Sequence, residues 1–402
     1  AAADYIDAAS IATIPIPVFR IIIQRIYEER NPLMVEQLYH NPDIYRIYVP
    51  LPDNPLKYLN CYVLVSNGET LIIDTGFNRP ECKQALFDGL DELQVDFAHT
   101  KLFLTHLHGD HSGLTEALTA KGVPVFMGAI DYNYLCSQIT SNGWQTMEQI
   151  FFNEGFPLEE IEKQKKGNQA RLYSPQHPFP ATTVQDNDVL TLGNVSLRCI
   201  HTPGHTPGHI CLYIEDKEIL FSGDHILFDI TPNISVWRNV PYSLADYLES
   251  LQKIKCLKVS HTFPGHREFH GDIQDRIHAL TLHHHARLKE ILDAIDHHPD
   301  CTAYETAGRI SWSSRGRAWN DFSPNQKWFA MGETLAHIKW LSDKGAISST
   351  RPLSLNMPNI PNAPAKETAE NRYRAFCHSS DLFFYSRRFS DDDFCEHVTH
   401  YA

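Results

Sequence analysis

At 402 residues, with 42% hydrophobic and 21% charged residues, the chain is long enough to bury a sizeable core and to hold two or more domains. Its formal net charge of -14, from 49 acidic against 35 basic residues, opposes nonspecific attraction to nucleic acid. Nine scattered cysteines, odd in number and without a Cys-x-x-Cys pair, favour a reduced, cytoplasmic setting over a disulfide framework.

The first residues, Ala1 to Tyr5, carry no basic stretch followed by an apolar core, so no signal peptide is expected. Ile21-Ile22-Ile23 is too short to cross a membrane and runs at once into Arg25, Glu28, Glu29 and Arg30. Residues 1–43 are assigned to an N-terminal extension with helical character near Val18 to Arg30. Tyr45 to Thr75 reads as two or three strands, broken by Pro50, Pro52 and Pro55. Glu81 to Leu93 reads as a helix and Leu102 to Thr105 as a strand. Ser112 to Lys121 is expected as a helix whose N-terminus favours a nearby anionic group. Pro124 to Met127 is a short strand. Residues 129–175 carry Tyr132, Tyr134, Trp144, Phe151, Phe152 and Phe156 without strand alternation. They read as a helical insertion, either a lid or wall of a pocket mouth or an insert that only packs on the core. Val184 to Ile214 returns to strands, and from Ile273 to Ile295 one long helix is expected. Further helical segments follow at Thr302 to Ile310 and Ala330 to Leu341. The tail from Arg351 is assigned to a C-terminal extension that wraps the body or a neighbouring subunit, on the strength of Phe383-Phe384-Tyr385.

The chemistry begins at Thr105-His106-Leu107-His108-Gly109-Asp110-His111, directly after the apolar Leu102-Phe103-Leu104. Alternate side chains of a strand share a side, so His106 and His108 can face one point. A turn at Gly109 can swing Asp110 and His111 toward a second. Imidazole and carboxylate suit zinc or iron, and three ligands with an open position mark a catalytic metal site. Three later segments repeat the theme of a strand feeding a loop that carries a ligand: His201 to His209 (HTPGHTPGH), Ser222-Gly223-Asp224-His225, and Pro264-Gly265-His266. His283-His284-His285 lacks such context and is expected to sit in a packing helix.

The ordered set HxHxDH, TPGHTPGH, SGDH and PGH, with Thr70 to Gly76 upstream, resembles the metallo-β-lactamase superfamily. The resemblance runs from about Tyr45 to about His270. It implies an α/β fold, an αββα sandwich with the ligands at the rim between two sheets. It implies two divalent metal ions, Zn2+ by default with Fe or Mn as alternatives. His106, His108 and His205 would hold the first; Asp110, His111 and His266 the second; Asp224 would bridge them. Asp110 would also act catalytically, orienting the nucleophile or carrying a proton. Asp74 would orient a ligand from behind. His201 and His209 read as structural, and His225 and His261 as packing residues with a chance of facing substrate. Glu333 to Leu341 resembles the small winged-helix-like C-terminal domain of one branch of this superfamily, giving a catalytic domain at 44–272, a helical domain at 273–350 and a C-terminal extension at 351–402.

The implied function is a dinuclear metal-dependent hydrolase that directs a metal-bound hydroxide at an ester, thioester or lactone-type small molecule. A phosphodiesterase or endoribonuclease is the alternative. It would need concentrated basic contacts to phosphate, whereas residues 302–350 hold six basic against four acidic side chains. A β-lactamase ranks below both, because many of those carry cysteine where this chain has Asp224. The expected partners are a small-molecule substrate and a second copy joined through the terminal extensions, with no membrane and no nucleic acid.

Overall fold

The structure, a computed structural model, describes residues 35–141, 143–313, 316–351, 353, 355 and 370–376. Its centre is a pair of stacked sheets. The first has seven strands in chain order: β1 (Val35–Tyr39), β2 (Asp43–Pro50), β3 (Tyr58–Ser66), β4 (Glu69–Ile73), β5 (Thr100–Leu104), β6 (Val125–Gly128) and β7 (Thr182–Val184). β1 to β4 pair antiparallel, and β4 to β7 pair parallel. The second sheet runs in the order β12-β11-β10-β9-β8 and comprises β8 (Val189–Leu192), β9 (Val195–His201), β10 (Ile210–Ile214), β11 (Ile219–Gly223) and β12 (His261–Pro264).

Several of these strands are apolar end to end, and the packing explains it. β10 (ICLYI) and β11 (ILFSG) are buried at every residue, because both of their faces are covered. Between the sheets, Ile44, Leu64, Leu71, Ile73 and Phe103 meet Leu190, Leu197, Leu212 and Phe221. Helix α1 (Pro80–Glu92), with proline in its first turn where no amide partner is lost, seals the outer face of the first sheet with Leu86 and Leu90. Two short helices follow, α2 (Gly109–Ser112) and α3 (Thr115–Thr119). Helices α4 (Ala129–Thr140), α5 (Gly143–Asn153), α6 (Leu158–Gly167) and α7 (Gln169–Leu172) make the segment before β7 helical. The outer face of the second sheet is sealed by α8 (Ser243–Lys255) and α9 (Ile273–His297) through Leu244, Leu251, Ile277 and Leu280. The layers are therefore α, β, β, α. The helical C-terminal region is completed by α10 (Ala303–Ala307) and α11 (Pro324–Asp343), the latter started by a reciprocal Ser323–Gln326 cap. A small hairpin-like pair, β13 (Ile347–Ser349) with β14 (Tyr373–Ala375), closes the described chain.

Two expectations are revised. The helix expected over Ser112 to Lys121 is shorter, Thr115–Thr119, and is set off from the preceding Gly109–Ser112 turn where the Leu114 amide bonds Thr75 Oγ1 at 3.1 Å. The turn nearest the ligands is the four-residue α2, so no extended helix dipole points there. Val35–Tyr39, assigned to the N-terminal extension from sequence, is instead the edge strand β1, anchored where the Glu36 carboxylate meets buried Arg46. Cys256 is disulfide-bonded, while Cys61, Cys82, Cys136, Cys199, Cys211 and Cys301 are free thiols. From the C-terminal extension, Tyr373 is buried against the body and its amide bonds Cys301 O. The helix expected near Val18 to Arg30, the Phe383-Phe384-Tyr385 segment and most of both extensions lie outside the described residues. Among the described residues, no helix is long and apolar enough to cross a membrane.

Candidate metal centre

The seven residues singled out by motif come from four loops at one rim of the sandwich. His106 and His108 leave the end of β5, and Asp110 and His111 sit in α2. His205 lies in the β9–β10 loop, Asp224 follows β11 and His266 follows β12. Their inward atoms converge. His108 Nδ1 stands 3.0 Å from both His106 Nε2 and His205 Nε2. His111 Nε2 stands 3.1 Å from His266 Nε2, and Asp110 Oδ2 is 3.4 Å from the latter. Asp224 lies between the two groups, with Oδ1 3.5 Å from His111 and Oδ2 3.7 Å from His205 and 3.5 Å from His266. Three overlapping sets emerge, His106/His108/His205, His106/His111/Asp224 and Asp110/His111/His266, each with donor atoms within 4.8 Å of one another.

The outer ring nitrogens fix which way the lone pairs face. His205 Nδ1 donates to Asn233 O at 2.9 Å and His266 Nδ1 to Tyr58 O at 2.9 Å. His111 Nδ1 meets Asp74 Oδ2 at 2.8 Å, and His106 Nδ1 meets Thr105 Oγ1 at 3.0 Å. A nitrogen protonated on the outside leaves the inner nitrogen as a bare lone pair. Lone pairs at 3 Å repel unless a proton or a cation lies between them. The buried Asp224 Oδ1 has no hydrogen-bond donor. Imidazoles, carboxylates and an orphaned oxygen converging in this way fit a divalent cation.

Charge is partitioned unevenly across the rim. Burial pushes His106 well below the ordinary imidazole value and His108 down to about 3, and each is lowered further by neighbouring imidazoles. Burial also lowers His205, against the pull of Asp224. For His111 and His266 burial opposes the charged form, but Asp224 and its neighbouring carboxylates outweigh it and both are raised. Asp110 is held down to about 2 despite burial, chiefly by His111 and His266.

Close packing leaves no slack around these groups. A Cβ on Gly265 would lie 2.6 Å from Asp224 Oδ1 and 2.9 Å from His111 Cε1, so only glycine brings this turn to the site. Asp74, at φ +62°, accepts from the Thr105 amide and hydroxyl as well as meeting His111.

The remaining histidines separate by location. His209 is fully buried; its Nδ1 meets Thr202 Oγ1 and its Nε2 accepts from the Asp224 amide. His201 bonds Pro207 O away from the cluster. His225 packs edge-on against Tyr247, and His261 against Tyr39; neither is among the converging donors. His284 is buried against His337, while the neighbouring His283 stands 3.8 Å from Glu333.

Sequence reasoning missed several supporting residues. Asn233 and Tyr58 act through backbone carbonyls, which leave no trace in composition. Asp131, in the first turn of α4, accepts from Leu107 N, Thr206 Oγ1 and Gly208 N at 3.0, 2.6 and 2.5 Å. Burial pushes its carboxyl up to about 7, against the three donors. Trp237 faces His108 at 6.0 Å between ring centroids, and Tyr134 of α4 packs edge-on to Trp237 at 5.9 Å. The helical segment 129–175 therefore reaches the rim through α4, which favours the wall over mere packing.

Residues 55–266 match the family model for the metallo-beta-lactamase superfamily. The chain belongs to the metallo-beta-lactamase superfamily. A beta-lactamase-like protein 2 homolog of Caenorhabditis elegans is 24% identical over 66% of this chain and 76% of its own length. An atrochrysone carboxyl ACP thioesterase of Cryptosporiopsis sp. (strain 8999) is 25% identical, covering 65% of each chain, just under two thirds of that relative. The crystal structure of a metallo-beta-lactamase family protein of Thermus thermophilus superposes with a TM-score of 0.68, 27% identity, and coverage of 83% of this chain and 98% of that one. The chain is a hydrolase of this superfamily.

Proposed function

We propose that this superfamily member is a dinuclear metal-dependent hydrolase acting on an ester, thioester or lactone of a small molecule. The supporting observation is the inward convergence of seven donors, four of whose imidazoles (His106, His111, His205 and His266) have their outer nitrogens already engaged. His106, His108 and His205 would hold one cation and Asp110, His111 and His266 the other, with Asp224 shared. A divalent pair, Zn2+ by default, would polarise the substrate oxygen and lower the pKa of a water. The chain's own residues do the rest. Asp110 orients the attacking water from the α2 side. Asp74, Asn233 and Tyr58 hold the ligand rings against rotation. Trp237 and Tyr134 give an apolar wall beside His108 suited to an acyl group. A thioesterase among the relatives is in keeping with this substrate class.

Elemental analysis of the purified protein, combined with a panel of thioesters, lactones, aryl esters, phosphodiesters and β-lactams, tests the reading. Two transition ions per chain and turnover of an acyl substrate are expected. Equal turnover after complete chelation, or preference for phosphodiesters, would overturn it.

A further inference from the structure

One side chain joins the two loops that supply the three-imidazole set, and it comes from neither of them. Asp131 sits fully buried at the start of α4, directly after β6. Its Oδ2 accepts from the amide of Leu107, the residue between His106 and His108, and from the hydroxyl of Thr206, the residue after His205. Its Oδ1 accepts from the amide of Gly208, the residue before His209. The approach is built in at the backbone level. A Cβ on Gly208 would lie 2.3 Å from Asp131 N, and one on Gly128 would lie 2.2 Å from Gly208 O. Burial and the hydrogen bonds from Thr206, Gly208 and Leu107 account for its shift, with no charged partner among the causes. A buried carboxylate held only by neutral donors is costly, and a neutral acceptor would serve mere packing at lower cost.

We infer that Asp131 is a positioning residue that sets the spacing of His106 and His108 against His205, and so controls one of the two cation positions selectively. The inference rests on the dinuclear reading above. The loops also share one direct backbone bond, Ile210 N to Thr105 O at 2.9 Å, but that bond lies behind the ligands. Apart from the converging donors themselves, Asp131 is the side chain among the described residues that ties the two loops on the ligand side, at residues adjacent to His106, His108 and His205. No described hydrogen bond of Asp131 reaches Asp110, His111 or His266, so that half has separate support from Asp74 and Tyr58.

The test is Asp131→Asn, which keeps the shape but turns an amide NH2 toward the backbone N–H of either Leu107 or Gly208, neither of which can accept. Zinc affinity is read by competition with a chromophoric chelator, with stoichiometry from elemental analysis. Wild type should bind two ions. In the variant one ion should weaken about 10–100-fold, the usual effect of losing an outer-sphere partner, while the other keeps its affinity. Equal weakening of both, or of neither, would overturn the inference. A wild type that binds no ion would sink the dinuclear reading and this inference together; a wild type that binds a single ion whose affinity ignores Asp131 would sink the inference as well. Should Asp131→Asn fail to fold, Thr206→Val removes one of the three donors. It should weaken the same single ion by a smaller factor, and an unchanged pair of affinities there rejects the inference.

Discussion

The two halves of the rim use the same side-chain chemistry and are charged in opposite ways. His106, His108 and His205 are surrounded by one another, and burial holds them neutral. His111 and His266 face Asp224, Asp110 and Asp74, and are held toward the charged form in spite of burial. The first half meets neutral outer partners, Asn233 O and Thr105 Oγ1; the second includes a carboxylate, Asp74. A cation in the first half would replace little positive charge, whereas one in the second would compete with it. The difference teaches that two groups of donors a few ångströms apart can be tuned differently by what stands behind each ring.

The largest test of that contrast removes what both halves share. Asp224→Ala should cut kcat/KM by about 10^3-fold or more and weaken both ions, since the carboxylate faces donors of each set. Loss of one ion alone would place Asp224 in a single half. Next is Asp74→Asn, which should weaken the ion beside His111 about 10–100-fold and the other by less, since Asp74 reaches His106 only through the Thr105 hydroxyl. Symmetrical loss in chelator titrations would break the comparison. A smaller effect is expected for Asn233→Ala. The carbonyl that receives His205 remains, but the side-chain bond to Phe329 O is gone. About fivefold weaker binding in the three-imidazole half is expected, the worth of one ordinary hydrogen bond.

The smallest expected effect on the metal site serves as a control. His284 and His337 also bring imidazole nitrogens to 3.1 Å, in the helical C-terminal region. There His337 Nδ1 donates to Glu333 O and its Nε2 receives His284, so the contact is a hydrogen bond needing no cation. His337→Gln should leave ion stoichiometry unchanged. It should alter acid stability instead. Burial depresses His337 to about 4, so the unfolded chain binds this proton more readily than the folded one. The associated stability is complete above pH 6.5 and is lost as pH falls from there toward 4, about 3 kcal/mol at the acid limit. Thermal melts between about pH 7.5 and 4.5 should show a shallower slope for the variant; an identical slope would assign the acid sensitivity elsewhere.

Much of this contrast was readable before the fold was known, and for definite reasons. Metal-capable residues at strand ends carry a fixed spacing, so HxHxDH put four of the converging donors in view, while the choice of His205, Asp224 and His266 in the later glycine turns came through the family resemblance. Apolar runs at β10, β11 and α9 announced buried elements. Hydrogen bonds to carbonyls announced nothing, because Tyr58 and Asn233 contribute the part of a residue that every residue has. Asp131 was hidden for another reason. It lies in a helix that looked like an insertion, and only the fold brings that helix beneath both loops. Strand β1 was missed because an edge strand half open to solvent has weak alternation, and its pairing depends on a β2 partner several residues away.

The placement of the donors has a last consequence. His106, His108, Asp110 and His111 hang from the seven-stranded sheet; His205, Asp224 and His266 hang from the five-stranded one. An ion held among them would act as a rivet through two plates, and its removal should let the plates slip before either one unravels. It follows that a half-assembled chain, with only one plate complete, holds no working centre, and reactivity appears only as the sandwich closes.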